Sequence, residues 1–217
     1  LVEDALAGRG RCAILDAGGA LPYWRACAPD LLDDPRIELH LLNLSAGDAC
    51  GGAEPAPSVR AVIGDARDLR RYPDGAFDLV HANSVIEHVG RWTDMAAMAA
   101  EVRRVGRRYL VQTPYWGFPL EPHFRAPFFH WLPEAWRARL LLRFDLGFAR
   151  RAANWDAAMR RVQSAVLLDR AQFAALFHGA NIHSEIAWGL TKSLLAVGGE
   201  GIAPHPASNT RRLLASP

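Results

Sequence analysis

Four short apolar runs each stop at a polar or glycine-rich end, and this rhythm constrains the fold more than any other feature. Cys12–Leu15 runs into Asp16-Ala17-Gly18-Gly19, Ile37–Leu42 into Asn43, Val59–Ile63 into Gly64-Asp65, and a run from Phe77–Val80 ends at Asn83-Ser84. Runs this short and this apolar read as buried strands. Helical patterns alternate with them. Leu21–Ala28 is one, and Thr93 or Asp94 is positioned to cap another whose Met95, Ala99 and Val102 share a face at helical spacing. Strand and helix in alternation imply a mostly parallel sheet with helices on both faces, a doubly wound α/β fold.

Past a fifth strand at Tyr109–Gln112, stopped by Thr113-Pro114, the rhythm breaks. Tyr115–Pro133 carries Pro119, Pro122, Pro127 and Pro133 among tryptophans, phenylalanines and histidines, which rules out a central strand. Two helices, Glu134–Leu142 and Ala152–Arg161, continue this insert. Asp169 then caps a helix bearing Phe173, Leu176 and Phe177 and stopped by Gly179, and Ile182–Ala187 and Ser193–Val197 close the chain as an antiparallel pair turning at Gly189. Gly47–Pro57 reads as loop, and the proline-rich tail from Gly201 is expected to be disordered. The expected organisation is one domain over 1–200, with 115–161 as a lid or substrate insert, followed by the tail 201–217.

Composition removes several function classes. A net charge of +2 lacks the strong basic excess of a nucleic-acid binder. No apolar stretch is long enough for a transmembrane helix, and no signal peptide opens the chain. Leu1 stands where a natural start would have methionine, so further N-terminal residues are expected upstream. The sole lysine, Lys192, follows Thr191 rather than a glycine, which excludes a P-loop. Four residues before it stands Trp188, not the tyrosine of a short-chain dehydrogenase. Cys12, Cys27 and Cys50 form no CxxC pair, so neither a disulfide framework nor a metal site is expected, and the cytoplasm is the expected compartment.

In a doubly wound sheet, ligands bind outside the carboxyl ends of the strands. Asp16, Gly18, Gly19, Asn43, Asp65, Asn83 and Ser84 all fall at such ends. The segments AILDAGG, VIGDARDL and FDLVHANSVIEHV, followed by YLVQTPYWGFPLEPHF, PFFHWLP and GLTKSLLAV, together resemble class I S-adenosylmethionine-dependent methyltransferases. The likeness is greatest to a small bacterial group with the NSVIEHV motif. It implies a Rossmann-like sheet of seven strands with an antiparallel last strand.

It also implies roles. Asp16, Gly18 and Gly19 would shape the loop around the methionine part of S-adenosylmethionine, Asn43 would hold the ribose, Asp65 and Ala66 the adenine, and Asn83 and Ser84 the sulfonium end. Two positions depart from the family pattern: Ala20 replaces a frequent glycine, and Asn43 replaces an acidic residue. His88, beside Glu87, is a candidate base, and Glu121 and His123 in the insert are candidates for the acceptor wall. The implied activity is methyl transfer to a small-molecule, lipid-linked or sugar-linked acceptor. The alternative is a methyltransferase-like scaffold, weak or inactive, acting as a partner protein. The aromatic insert is alternatively a brace or a dimer contact.

Overall fold

The computed structural model describes residues 1–50 and 57–203. The elements run α1 (Val2–Arg9), β1 (Cys12–Ala17), α2 (Leu21–Cys27), α3 (Pro29–Asp33), β2 (Ile37–Asn43), α4 (Ala46–Cys50), β3 (Val59–Ile63), β4 (Phe77–Asn83), α5 (Trp92–Val105) and β5 (Gly106–Pro114). The insert follows with a two-stranded hairpin, β6 (Leu120–Glu121) and β7 (Ala126–Pro127), then α6 (Glu134–Arg143) and α7 (Trp155–Val162). α8 (Arg170–Leu176), β8 (Asn181–Ala187) and β9 (Leu190–Gly199) complete the order.

Seven strands form one sheet in the order β3-β2-β1-β4-β5-β9-β8. The first five are parallel, and β9 lies antiparallel between β5 and β8. This is the expected Rossmann-like sheet with its antiparallel last strand. The switch point falls between β1 and β4, because the chain leaves β1 toward β2 on one side and returns to β4 on the other. Their carboxyl ends carry Gly18-Gly19 and Asn83-Ser84.

β1 is apolar almost throughout because both its faces are covered. On one face α5 buries Met95, Met98, Ala99 and Val102, and α8 contributes Phe173 and Leu176. On the other, Ile14, Leu21, Trp24 and Leu39 form a second cluster beneath α2. The insert has a core of its own: Phe124, Phe129, Ala138, Leu141, Ala158 and Val162. The aromatic residues of 115–133 therefore divide. Phe118, Phe124 and Phe129 are buried, while Trp116, Phe128 and Trp131 remain exposed.

Several local expectations are corrected. α5 starts at Trp92 with Arg91 as its cap, and Asp94 sits three residues in, its carboxylate accepting from the Arg91 N–H (3.0 Å). Residues 46–50 are helical rather than loop, and 51–56 lie outside the described residues. α7 starts at Trp155, because the Asn154 side chain caps it by accepting from Ala157 N–H (2.9 Å). α8 keeps its Asp169 cap, reinforced by Gln172, but it ends at Leu176, and Gly179 lies beyond it in a left-handed turn. α1 and α3 carry no buried residue, so no apolar stripe announces them. Of the tail 201–217 expected to be disordered, 201–203 turn back on β9, where Ile202 N–H donates to the Gly199 carbonyl (3.2 Å), and 204–217 lie outside the described residues.

The connection from β3 to β4 is held by α5. Glu101 accepts from Leu69 N–H (2.6 Å) and pairs with Arg104 (2.8 Å), whose guanidinium also donates to the carbonyls of Leu69 and Tyr72. Arg104 holds the Glu101 carboxyl below its ordinary value. A carboxyl depressed by folding contributes stability that is complete above its unfolded pKa, about 4.3, and is lost as pH falls through the folded one. Glu101→Gln is therefore expected to flatten part of the acid limb of a urea-stability profile below about pH 4.3. An acid limb identical to that of the parent chain would contradict the assignment.

Candidate active site

The loop after β1 can be built only with glycine. Gly18 has φ +74°, and a Cβ there would lie 2.6 Å from Val85 Cγ2. A Cβ on Gly19 would lie 1.7 Å from Asp16 Oδ2. The Asp16 carboxylate folds under the loop, 1% exposed, where it accepts from the Trp24 indole N–H and lies 2.7 Å from His81 Nδ1. Asp16 thus braces the loop from below. Trp24 and His81, its partners, were not singled out from sequence; the pairing between neighbouring strands that sets Asp16 beside His81 is the signal that would have found one of them.

Asn43 ties the end of β2 to the same loop. Its Nδ2 donates to the Gly19 carbonyl (2.8 Å). Beyond it, Asp65 is gripped by Arg67 at 2.6–3.0 Å, and Arg67 also reaches Asp94 (2.9 Å). Arg67 holds the Asp65 carboxyl below its usual range. Gly18, Asn43, Asp65, Ala66, Val85 and His88 all line one cleft of ≈ 400 Å³ at the carboxyl ends of the strands. Asn83 and Ser84 sit exposed at the end of β4 without lining it, Ser84 at φ +55° with its N–H and Oγ both donating to Gln112 Oε1. A larger cleft, ≈ 580 Å³, opens at the opposite end of the sheet beside Cys12, Ile37 and Phe77. Ligands of doubly wound sheets bind at the carboxyl ends, so the smaller cleft is the functional candidate.

At its mouth the insert meets the turn after β4. His88 and His123 face each other with Nε2 atoms 3.1 Å apart and rings nearly perpendicular. His88 Nδ1 lies 2.8 Å from the Ser164 carbonyl, and His123 Nδ1 lies 2.7 Å from Glu121 Oε1. Both partners can only accept, so each Nδ1 carries its ring's proton. With both rings neutral the facing Nε2 atoms would present lone pairs to each other; a proton on one ring, or a cation held between them, removes that clash. Glu121 is itself fixed, buried, with Oε2 accepting from Phe124 N–H (2.6 Å). Its bond to His123 raises the imidazole above its ordinary value.

Glu87 lies beneath, 1% exposed. One oxygen accepts from Thr113 Oγ1 (3.1 Å), and Oε1 is buried with no partner among the described residues. Burial pushes its carboxyl up. The structure therefore brings His88, His123 and Glu121 together although 35 residues separate the two histidines. Glu87 joins them; a glutamate set in the apolar run Val85-Ile86-Glu87-His88-Val89 is the signal that marks it.

Residues 37–109 match a family described as a methyltransferase domain. Over that third of the chain, β2 to β5, the sequence is similar to this family. The N-terminal domain of EvdMO1, solved with S-adenosylhomocysteine (SAH) bound, is similar over 91% of this chain and 78% of that one, at 21% identity and a TM-score of 0.52. The mitomycin 7-O-methyltransferase MmcR is similar over 87% of this chain and 48% of its own, at 16% identity and a TM-score of 0.52. A structure described as a putative zinc-dependent alcohol dehydrogenase from Rhodobacter sphaeroides is similar over 86% and 83%, at 12% identity and a TM-score of 0.55. Likenesses this distant establish the fold. The chain spans about half the length of MmcR and of PigF. No curated protein matches it by sequence.

The Asn43 amide has a donor's job toward Gly19. Asn43→Asp would set a carboxylate oxygen against the Gly19 carbonyl. It should lower unfolding free energy by about 1 kcal/mol in urea titration, the worth of one lost hydrogen bond. An unchanged midpoint would show that the amide does not hold the loop.

Proposed function

We propose that the chain transfers a methyl group from S-adenosylmethionine to a small-molecule acceptor, with sugar- and lipid-linked hydroxyls within the class considered. The observation that carries the reading is a juxtaposition. His88 lines the cleft that holds Gly18, Asn43 and Asp65, and the same His88 meets His123 of the insert. A cofactor lying along the cleft, with its methionine end at Gly18-Gly19 and its adenine at Asp65-Ala66, delivers its methyl beside that histidine pair. The Asn43 Oδ1 atom is left for a ribose hydroxyl, since Nδ2 is committed to Gly19.

The sulfonium brings its own leaving group, so the chain's task is to hold a nucleophile in line with the methyl. A hydroxyl or protonated amine must also lose a proton. His88 and His123 are the residues proposed to stand at the reacting atom, and Glu121 positions His123. The insert stands beside this end of the cleft, where His123 meets His88.

A second reading has one observation in its favour. Asp65, the adenine partner in the proposal, is already held by Arg67. An adenine amino group would have to share that carboxylate, and a scaffold that binds the cofactor weakly would show the same pairing.

Calorimetry with SAH separates the two. Micromolar binding is expected, with no binding of NADH, and Asp65→Ala should weaken it by about 1–3 kcal/mol, the cost of an unpaired polar partner. His123→Ala should leave SAH affinity within about twofold while lowering turnover on an acceptor found by radiolabel screening by roughly 10²–10⁴-fold. Absent SAH binding, or an Asp65→Ala variant that binds as well as the parent chain, would contradict the proposal.

A further inference from the structure

We propose that Glu87, His88 and His123 form a binding site for a divalent first-row cation of the zinc type. One ligand atom from each lies within 4.8 Å of the others. The cysteine pattern offered no metal site, and this one uses imidazole and carboxylate instead, a donor set suited to such cations.

Three observations carry the assignment. The first is the facing pair of Nε2 atoms at 3.1 Å. With metal–nitrogen bonds of about 2.05 Å, that separation corresponds to an N–metal–N angle of about 100°, close to tetrahedral. Two Nε2 atoms this close, with each Nδ1 facing an acceptor, are free to serve as two metal ligands. The second is Glu87 Oε1, on a side chain 1% exposed and without a partner. A buried carboxylate oxygen left unpaired is costly, and a cation would satisfy it. The third is the surrounding support. Glu121 and the Ser164 carbonyl fix the two Nδ1 atoms, and Thr113 fixes the other oxygen of Glu87. Outer partners of this kind orient metal-bound histidines and fix their tautomers.

Three protein ligands leave open positions on the cation, as catalytic sites do. His88 is exposed and lines the cleft, so those positions face the proposed acceptor. The role of the cation rests on the methyltransferase reading; its binding does not. An acceptor hydroxyl coordinated there becomes more acidic and gives its proton to solvent water. The oxygen's electron pair then forms the new O–CH₃ bond as the S–CH₃ bond breaks, and the pair from that bond stays on sulfur as a neutral thioether.

The test uses the full chain stripped with a chelator. Titration with Zn²⁺ by calorimetry is expected to show one equivalent bound, and Co²⁺ to give the visible absorption of a low-coordinate nitrogen and oxygen site. His88→Gln and His123→Gln should each weaken Zn²⁺ by about 100-fold or more, and Glu121→Gln, which is not a ligand, by about 10–100-fold. On the unmutated chain, long-range ¹⁵N spectra of the imidazoles should show Zn²⁺ moving the Nε2 signals of His88 and His123 and not those of the other six histidines. SAH affinity should be the same with and without metal, within about twofold. Failure of saturable Zn²⁺ binding would overturn the site, as would binding that survives both histidine substitutions or leaves both Nε2 signals unmoved. Zn²⁺ bound at this pair in a chain that does not bind SAH would leave the metal site standing and remove the methyltransferase reading.

Discussion

The contact between His88 and His123 joins the turn after β4 to the insert, two parts of the molecule with hydrophobic clusters of their own. The sheet and its covering helices have one hydrophobic core on each face, and the insert has a third. The insert is seated by apolar contacts, Tyr115 on the main core and Phe118 on Trp188, and by polar ones at the end of β4. His88 meets His123 and the Ser164 carbonyl, and Val166 N–H donates to the Glu87 carbonyl (2.8 Å). At 3.1 Å the two Nε2 atoms are at hydrogen-bond distance, so a proton or a cation held between them completes the contact.

Two buried carboxylates frame this mouth in different ways. Asp16 is fully engaged, between Trp24 and His81, and its work is structural: it fills the space under Gly19 that no side chain could share. Glu87 is equally buried but half satisfied. A chain under no functional demand has little reason to keep an unpaired carboxylate oxygen in its interior, since each such group costs about 1–3 kcal/mol. The first supports the glycine loop after β1; the second is the side chain whose burial asks for a ligand.

Much of the fold was legible because its signals are local. Apolar runs ended by Asp16, Asn43, Gly64-Asp65 and Asn83 mark the parallel strands, and the Asp169–Gln172 cap marks α8. Elements lacking such signals were missed. α1 and α3 bury nothing, and α4 lies in a stretch rich in glycine and alanine that propensity alone reads as loop. The start of α5 was misplaced because Asp94 satisfies a backbone donor from inside the helix rather than from its cap.

The candidate site was legible as residue types but not as an arrangement. His88, His123 and Glu121 stand out singly, yet no local pattern says that Nδ1 of each histidine has its own partner and that the two Nε2 atoms meet. Nor does sequence reveal that Arg67, two residues on from Asp65, folds back onto it, or that Asn43 donates to Gly19 rather than only accepting. These depend on tertiary geometry. The central claim is that one cleft holds the cofactor with its sulfur toward the histidine pair. A crystal structure with S-adenosylhomocysteine tests it most directly. The account predicts the homocysteine at Gly18-Gly19, the ribose at Asn43, the adenine at Asp65-Ala66 and the sulfur facing His88 and His123, with room for an acceptor atom about 3 Å from the departing methyl. A ligand seated elsewhere, or a sulfur turned away from the histidines, would contradict it.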